Sequence, residues 1–289
     1  MITLKAYAKL NLSLDVTGKR ADGYHELDSI MQTISLADTV EIGRADETTV
    51  VFDVPDVDAV KNTAYAAAQA FFTHTGIQGG TDIRIQKRIP RMSGMGGASA
   101  DAAAVLIGLN RLFDGRLNAN ALAQLGVKLG ADVPFALTGG TARAKGIGEK
   151  LKVMRLKSPY HVVVVKPHAG VSTAEAFRRY KASAPINIGM VEFALLKGDV
   201  SLFEQYAGNA LGIAALSIAP EIMKAAEALL AAGARKALMS GSGSTMFALF
   251  ADEAAAHETA SRIKGDFELC GAYSFMDKAV DIAGEGSGL

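Results

Sequence analysis

The chain has almost no cysteine, no surplus charge and no long apolar run. One thiol, Cys270, among 289 residues cannot close an intrachain disulfide, which fits a reducing compartment. No histidine-and-glycine context surrounds Cys270, so it reads as a small buried apolar residue and not as a nucleophile. Lysine plus arginine and aspartate plus glutamate number 30 each, a formal net charge of zero. No global field therefore draws the chain to nucleic acid or to an anionic membrane. The longest aliphatic burst, HVVVVK, is far too short to cross a bilayer. The start, MITLKAYAKLNLSLDV, lacks the unbroken apolar core of a signal peptide. The five histidines show no metal-ligand spacing. Together these absences predict a cytoplasmic protein with neither a membrane nor a nucleic acid as partner.

What is present suffices for a large core. Hydrophobic residues make up 49% and charged ones 21%, a globular composition, at a length where one core begins to give way to two domains. From residue 4 to 16, Leu4, Ala6, Ala8, Leu10, Leu12, Leu14 and Val16 alternate with Lys5, Lys9, Asn11, Ser13 and Asp15. That period of two predicts a strand with one buried face. Its polar face is either a solvated edge or a working surface. TGKRADGYHEL follows as a turn-rich connection. Strands are predicted at 48–54 and 81–89, with an alanine-rich helix over 60–74 between them. Helices follow over 98–113 and 118–129. The second should stop at LGADVPF, with Gly130 as a left-handed cap and Pro134 blocking continuation. ALTGGTARAKGIGEKL predicts an extended hairpin.

A second half opens near residue 158 with the strand YHVVVVKP. VSTAEAFRRY carries a capping box of Ser172 and Glu175. Helices are predicted at 189–196, 200–215 and 219–232, then the strand RKALMS, the loop GSGST, the strand MFALF, a helix and a last strand near 271–277. The tail GEGSGL should fray. Helices and strands mix without regular βαβ alternation, which argues for an α+β fold in two lobes, 1–155 and 156–289.

Between Ile89 and Leu109 lies IPRMSGMGGASADAAAVLIGL, three glycines and several small residues just ahead of an apolar helix. Bare backbone permits close approach, and a helix start offers unpaired N–H groups and partial positive charge. The pair suits an anion. The loop is no Walker A motif, having no G-K-[S/T], and no dinucleotide fingerprint, lacking the G-x-G-x-x-G spacing. A plain strand-to-helix turn with Ser99 as cap is the alternative. LMSGSGSTMFALF holds a second small-residue loop between two strands, and two such loops could enclose one polyphosphate. Asp132 follows a helix C-terminus, where the dipole disfavours an anion, so it is either a base or part of a surface turn. His25 beside Tyr24 is either a grip on a flat ligand or a structural pair.

Taken together, PRMSGMGGASADAAA resembles the phosphate-binding motif of the GHMP kinases, the superfamily of galactokinase, homoserine kinase and mevalonate kinase. AYAKLNLSLDVTGKR resembles their N-terminal motif and SGSGST their C-terminal glycine motif, in the superfamily's order and across most of the chain. AKLNLSLDVTGKRADGYHEL and LGADVPFALTGGTARAKGIGE narrow the resemblance to the branch acting on a cytidine diphosphate-linked methylerythritol in non-mevalonate isoprenoid biosynthesis. The likeness is looser after residue 160, SGSGST apart.

The resemblance implies an N-terminal lobe similar to a ribosomal-protein-like α+β domain, a C-terminal α/β sandwich lobe, and ATP with Mg²⁺ as cofactors. It implies Asp132 as the base at the acceptor hydroxyl and Lys9 as the cation beside it. Asn11 would position the methylerythritol end, and Tyr24 and His25 would hold the cytosine. Pro90, Arg91, Met92, Ser93, Gly94, Met95, Gly96, Gly97, Ala98, Ser99 and Ala100 would wrap the ATP phosphates, with Ser240, Gly241 and Gly243 of the second loop. Ser99 would be the best-placed hydroxyl for Mg²⁺. Met95, Ala98 and Ala100 depart from the common G-L-G-G-G-S-S form, so position 98 must not need a glycine-only backbone angle.

Three rivals remain open. A homoserine- or mevalonate-type acceptor would leave Tyr24 and His25 no ring to grip. An RNA-binding module is opposed by the sparse clustering of Arg and Lys. A regulator without catalysis is opposed by Lys9, Asn11 and Asp132 occurring together. Monomer and homodimer are equally compatible with the sequence.

Overall fold

A computed structural model describes residues 1–55, 58, 62–157 and 160–283. The chain runs β1 (Ile2–Lys19), β2 (His25–Ala45), β3 (Thr49–Phe52), α1 (Thr63–Thr75), β4 (Gly80–Gln86), α2 (Gly97–Leu112), α3 (Ala119–Leu129), α4 (Val133–Thr138), β5 (Thr141–Gly146) and β6 (Lys150–Met154). It continues through β7 (His161–Lys166), α5 (Thr173–Arg179), α6 (Ile188–Lys197), α7 (Val200–Tyr206), α8 (Gly212–Ile218), α9 (Ile222–Ala231), β8 (Leu238–Met239), β9 (Met246–Phe250), α10 (Glu253–Arg262), β10 (Leu269–Met276) and β11 (Val280–Ile282). The expected α+β class is what forms. The strands join in one sheet in the order β11-β1-β2-β10-β7-β9-β8, with β4 and β5 also pairing β2.

The longest strand, β2, has no counterpart among the predicted elements. Both its faces are covered from Ser29 to Ile34, and polar Ser29, Gln32 and Thr33 lie in that buried stretch. A strand buried on both sides shows no alternation to read. The polar face of β1 is likewise no solvated edge. Lys9, Asn11, Ser13 and Asp15 are all buried, because the segments around Gly96, Gly208 and Ser240 pack over them, while Lys5 at the near end stays exposed.

Several local expectations need correction. Gly130 is extended at φ 171°, not left-handed, and Pro134 does not end a helix but sits in the first turn of α4, where its missing N–H costs nothing. Ser172 caps α5 by position only, without a side-chain cap bond. Glu175 turns instead to Arg178 and Arg179. The helix expected over 200–215 is two, α7 and α8. Cys270 is exposed on β10. The expectation for the tail falls on residues 284–289, outside those described.

Helix α2 lies flat on the sheet because its inner face is small. Ala102, Ala103, Ala104 and Val105 are fully buried, and a Cβ on Gly108 would stand 2.5 Å from Ile42 Cδ1. That close seat lets α2 aim its first turn at β1. A second apolar cluster lies under α5, α8, α9 and α10, around Val163, Val165, Leu211 and Ile222.

The chain's return to β1 is also tightly fitted. Gly139 has φ 74°, and a Cβ there would lie 2.3 Å from the backbone nitrogen of Ala279. Gly76, which ends α1 at φ 68°, has nothing within 4 Å. Gly76→Ala is thus expected to cost only backbone strain, about 1–2 kcal/mol. Gly139→Ala should cost clearly more, beyond about 3 kcal/mol, by adding a backbone clash to the same strain. Urea unfolding of the two variants checks the difference.

Candidate active site

The site begins with irregularity in β1. Its register against β2 shifts between Tyr7 and Lys9 and again between Asn11 and Ser13. Such bulges re-aim side chains. They bring Lys9 and Asn11 onto the floor of a cleft of about 1220 Å³. Lys9 Nζ donates to Asn11 Oδ1 at 2.5 Å and lies 3.3 Å from Asp132 Oδ2. Asn11 Nδ2 donates to Ser29 Oγ at 2.8 Å, and Ser29 Oγ donates to Ser13 O at 2.7 Å. This relay holds the amide with its oxygen toward the ammonium.

Asp132 stands at the start of α4, at φ −85°, and its side chain makes no capping bond. The sequence predicts the helix ahead of it, α3, but not α4. Asp132 therefore stands between the end of α3 at Leu129 and the first turn of α4. About a third of its side chain is exposed, leaving it open to a ligand.

The two glycine loops are fused to one another beside this pair. Met92, Gly94 and Gly96 all have positive φ. A Cβ on Gly94 would lie 2.1 Å from Ser240 O, and one on Gly96 would lie 3.1 Å from Lys9 Cγ and Cε. Lys9 N donates to Met95 O at 3.0 Å and Thr245 N to Ser93 O at 3.2 Å. Ser240 Oγ accepts from Asn11 N and donates to Gly94 O at 3.0 Å. Gly96 caps α2, so Gly97, Ala98 and Ser99 present free N–H groups to the cleft. Ser99 is third in the helix and is not its cap. Ala98 has ordinary helical geometry, which is why alanine fits there.

Not every predicted phosphate residue faces the cleft. Pro90, Arg91, Met92, Ser93, Gly94, Gly96, Gly97, Ala98, Ser99 and Gly241 line it. Met95 and Ala100 turn into the core, Ser240 is the buried rivet between the loops, and Gly243 faces Met239, Ala215 and Ile222. Ser242 does line the cleft, bonded to Thr173 Oγ1 at 2.9 Å.

At the far end of the cleft His25 does not pair with Tyr24. Its ring stacks on Phe177 at 5.1 Å between centroids, 21° from parallel, and meets Tyr180 edge-on at 5.8 Å. Tyr24 is exposed and lines the same end. Phe177 and Tyr180 escaped the sequence reading because they lie some 150 residues from His25; the cue available was the aromatic spacing in AFRRY.

A second missed group lies under the phosphate loop. Lys87 Nζ bridges Asp38 Oδ2 at 2.5 Å and Asp101 Oδ2 at 2.6 Å; both carboxylates are buried and the lysine is partly so. Asp38 Oδ1 also accepts from the backbone N–H groups of Arg88 and Ile89. The cluster ties the loop's entry to the second turn of α2. Burial pushes the Asp101 carboxyl up to about 7, against the opposing pull of Lys87. A lone acid amid SADAAA was its sequence signal. Among the described residues no group of three or more His, Cys, Asp or Glu could hold a metal ion.

Comparisons with known proteins were made against this geometry. The GHMP kinases N terminal domain matches residues 62–140, and the GHMP kinases C terminal domain matches 193–269. The 4-diphosphocytidyl-2-C-methyl-D-erythritol kinase of Pelotomaculum thermopropionicum is 40% identical over 270 residues, covering 91% of this chain and 94% of its own. That of Bacillus pumilus is 43% identical over 271 residues, 90% and 92% of the two chains. A crystal structure of 4-(cytidine 5'-diphospho)-2C-methyl-D-erythritol kinase matches with TM-score 0.78 at 34% identity, over 94% of this chain and 98% of that one. Homoserine kinase from Cytophaga hutchinsonii reaches TM-score 0.79 at only 20% identity, over 97% and 96%. Shape alone does not separate the two; sequence does.

Burial, and then the charge of Lys19, lowers the pKa of His25. A depressed folded-state pKa contributes stability that is present above the ordinary value of 6.5 and lost as pH falls through the folded value. The thermal midpoint should therefore drop on acidification below about pH 6.5. His25→Phe should flatten that segment of the curve, as calorimetry across the range would record.

Proposed function

This chain belongs to the GHMP kinase family, and we propose that it transfers the γ-phosphoryl group of ATP to 4-diphosphocytidyl-2-C-methyl-D-erythritol, at the tertiary hydroxyl on the methyl-bearing carbon C2. The observation that carries the reading is the Lys9–Asp132 pair, 3.3 Å apart, in one cleft with the helix start of α2 and the His25–Phe177 platform. Phosphoryl transfer asks for in-line positioning and charge stabilisation more than covalent chemistry. The N–H groups of Gly97, Ala98 and Ser99 supply the anion cradle. The aromatic end supplies a flat surface for cytosine, a ring that homoserine and mevalonate lack.

In the transfer, the acceptor oxygen bonds to the γ-phosphorus while the bond from that phosphorus to the β,γ-bridging oxygen breaks. The electron pair leaves with ADP. The hydroxyl proton passes to the Asp132 carboxylate, and the Lys9 ammonium stabilises the negative charge gathering on the acceptor oxygen and the moving phosphoryl group. Asn11, held by Ser29, keeps that ammonium aimed.

Family membership implies Mg²⁺ with the ATP. The donor set fits an ion held mainly by phosphate oxygens and water, as Mg²⁺ commonly is: the Ser99 hydroxyl lines the cleft, and among the described residues no group of three or more carboxylates, histidines or cysteines is placed to hold a metal. When bound, Mg²⁺ neutralises phosphate charge. We divide the chain into an N-terminal unit to residue 155 that supplies Lys9, Asp132 and the first glycine loop, and a C-terminal unit that supplies the second loop and Phe177. We place the reaction in the cytoplasm, which the single unpaired cysteine suits, as a step of non-mevalonate isoprenoid biosynthesis.

Release of ADP from Mg-ATP, measured with the cytidine-linked acceptor, homoserine and mevalonate in turn, should occur with the first alone. Turnover of homoserine or mevalonate instead would overturn the acceptor. Asp132→Asn should lower kcat by about 10²–10⁴-fold while leaving ATP and acceptor binding near normal. Near-normal turnover in that variant removes Asp132 from the role of base. Lys9→Ala should depress kcat more than KM, and a change in KM alone would make Lys9 a simple binding group.

A further inference from the structure

The acceptor proposed above is an anion in its middle. Its cytosine and its methylerythritol are joined by a diphosphate with a negative charge on each phosphate. With the methylerythritol end at Asp132 and the base on the His25–Phe177 platform, those charges lie along the cleft between them. Anions drawn out of bulk water need a cation or hydrogen-bond donors.

Two cations line the platform end of the cleft, Lys19 and Arg178. Arg178 gives its fork to Glu175, at 2.7 Å from both Nε and Nη2, and Glu175 also receives Arg179. Arg20 draws Asp22 and Glu26, and Asp22 accepts from Tyr24 N as well. Lys19 is left over. Among the described residues no carboxylate pairs with it.

Strand register fixes where that charge stands. Lys19 lies directly opposite His25 at the end of the β1–β2 pairing. Residues so paired hold their side chains on one face, with Cβ atoms about 4.5–5.5 Å apart. After burial, the charge of Lys19 is the second cause that lowers the pKa of His25, so the ammonium is felt at the imidazole that stacks on Phe177. A lysine side chain is comparable in length to the step from a pyrimidine ring to its 5'-phosphates. A base held at this platform therefore brings its diphosphate within reach of Lys19 Nζ.

We propose that Lys19 binds the acceptor's diphosphate and so selects a cytidine carrying a 5'-diphosphate over the bare nucleoside. The inference rests on the acceptor assigned under the proposed function. Lys19 is a binding residue in this role and touches no reacting atom. Because it is exposed, water and salt screen the pair. Its contribution is therefore about 3–10-fold in affinity, below that of a buried charge pair.

Binding of CDP and of cytidine to the full chain is measured by calorimetry, and KM for ATP and for the acceptor by ADP release. Lys19→Met keeps the length of the side chain and removes its charge, with folding checked by thermal unfolding. It should weaken CDP by about 3–10-fold and raise the acceptor's KM in step, while cytidine affinity and KM for ATP stay as in wild type. Lys19→Arg should restore CDP binding, and Lys19→Glu should weaken it further. Added salt should narrow the gap between wild type and Lys19→Met. An equal loss of CDP and cytidine would place Lys19 on the base and overturn the proposal, as would an unchanged CDP affinity in Lys19→Met. A rise confined to KM for ATP would put the lysine at the donor and overturn it too. Turnover of the acceptor by wild type keeps the kinase reading standing whichever way Lys19 falls; without that turnover the reading falls, and the pairing with it.

Discussion

An ammonium group enclosed against a sheet has to be paired and hydrogen-bonded, and the arrangement around Lys9 follows from that demand. Asn11 and Asp132 receive the charge, and Ser29 and Ser13 orient Asn11 in turn. The lysine stem needs room, and Gly96 leaves it. The loops that close over the stem meet backbone to backbone, which a side chain at Gly94 would prevent. The glycines therefore serve the charge as much as any phosphate. A helix start and a carboxylate then stand on either side of one cation, the geometry that phosphoryl transfer requires.

The legible parts of this protein were those governed by short-range rules. Period-two alternation marked β1, small residues ahead of an apolar run marked α2, and the SGSGST loop stood out between strands. Strand β2 did not, because it is buried on both faces from Ser29 to Ile34 and need not alternate. Asp132 does follow the end of α3, but the proline read as a stop lies in the first turn of α4 instead, a helix too short to announce itself. His25 and Tyr24 both line the cleft, but the ring that His25 stacks on was not legible. Its companion ring arrives on α5, from the other half of the chain, and no local pattern reports a contact across that separation.

The cluster of Lys87, Asp38 and Asp101 belongs to the same lesson. Three charges in the interior are costly unless they satisfy one another, and here they join three elements: β2 through Asp38, the end of β4 through Lys87, and α2 through Asp101. The loop that would meet ATP hangs between two of those anchors. Its shape is thus set by groups that no glycine motif contains, one of them on the strand that alternation failed to show.

Strand β11 carries a consequence for how the protein is made. It pairs with β1 through Leu4 with Ile282, Lys5 with Asp281 and Ala6 with Val280, and Ala283 N donates to Thr3 O. Strand β1 is thus synthesised well before β11, the strand that covers its outer edge. On the ribosome, Lys9 and Asn11 emerge early on a ribbon whose neighbour is still untranslated, and an uncovered edge of that kind is what holdase chaperones and stray strands recognise. Premature termination even a few codons short of Val280 would release a chain that still carries Lys9, Asn11 and Asp132 but has an open seam along Leu4 to Ala6.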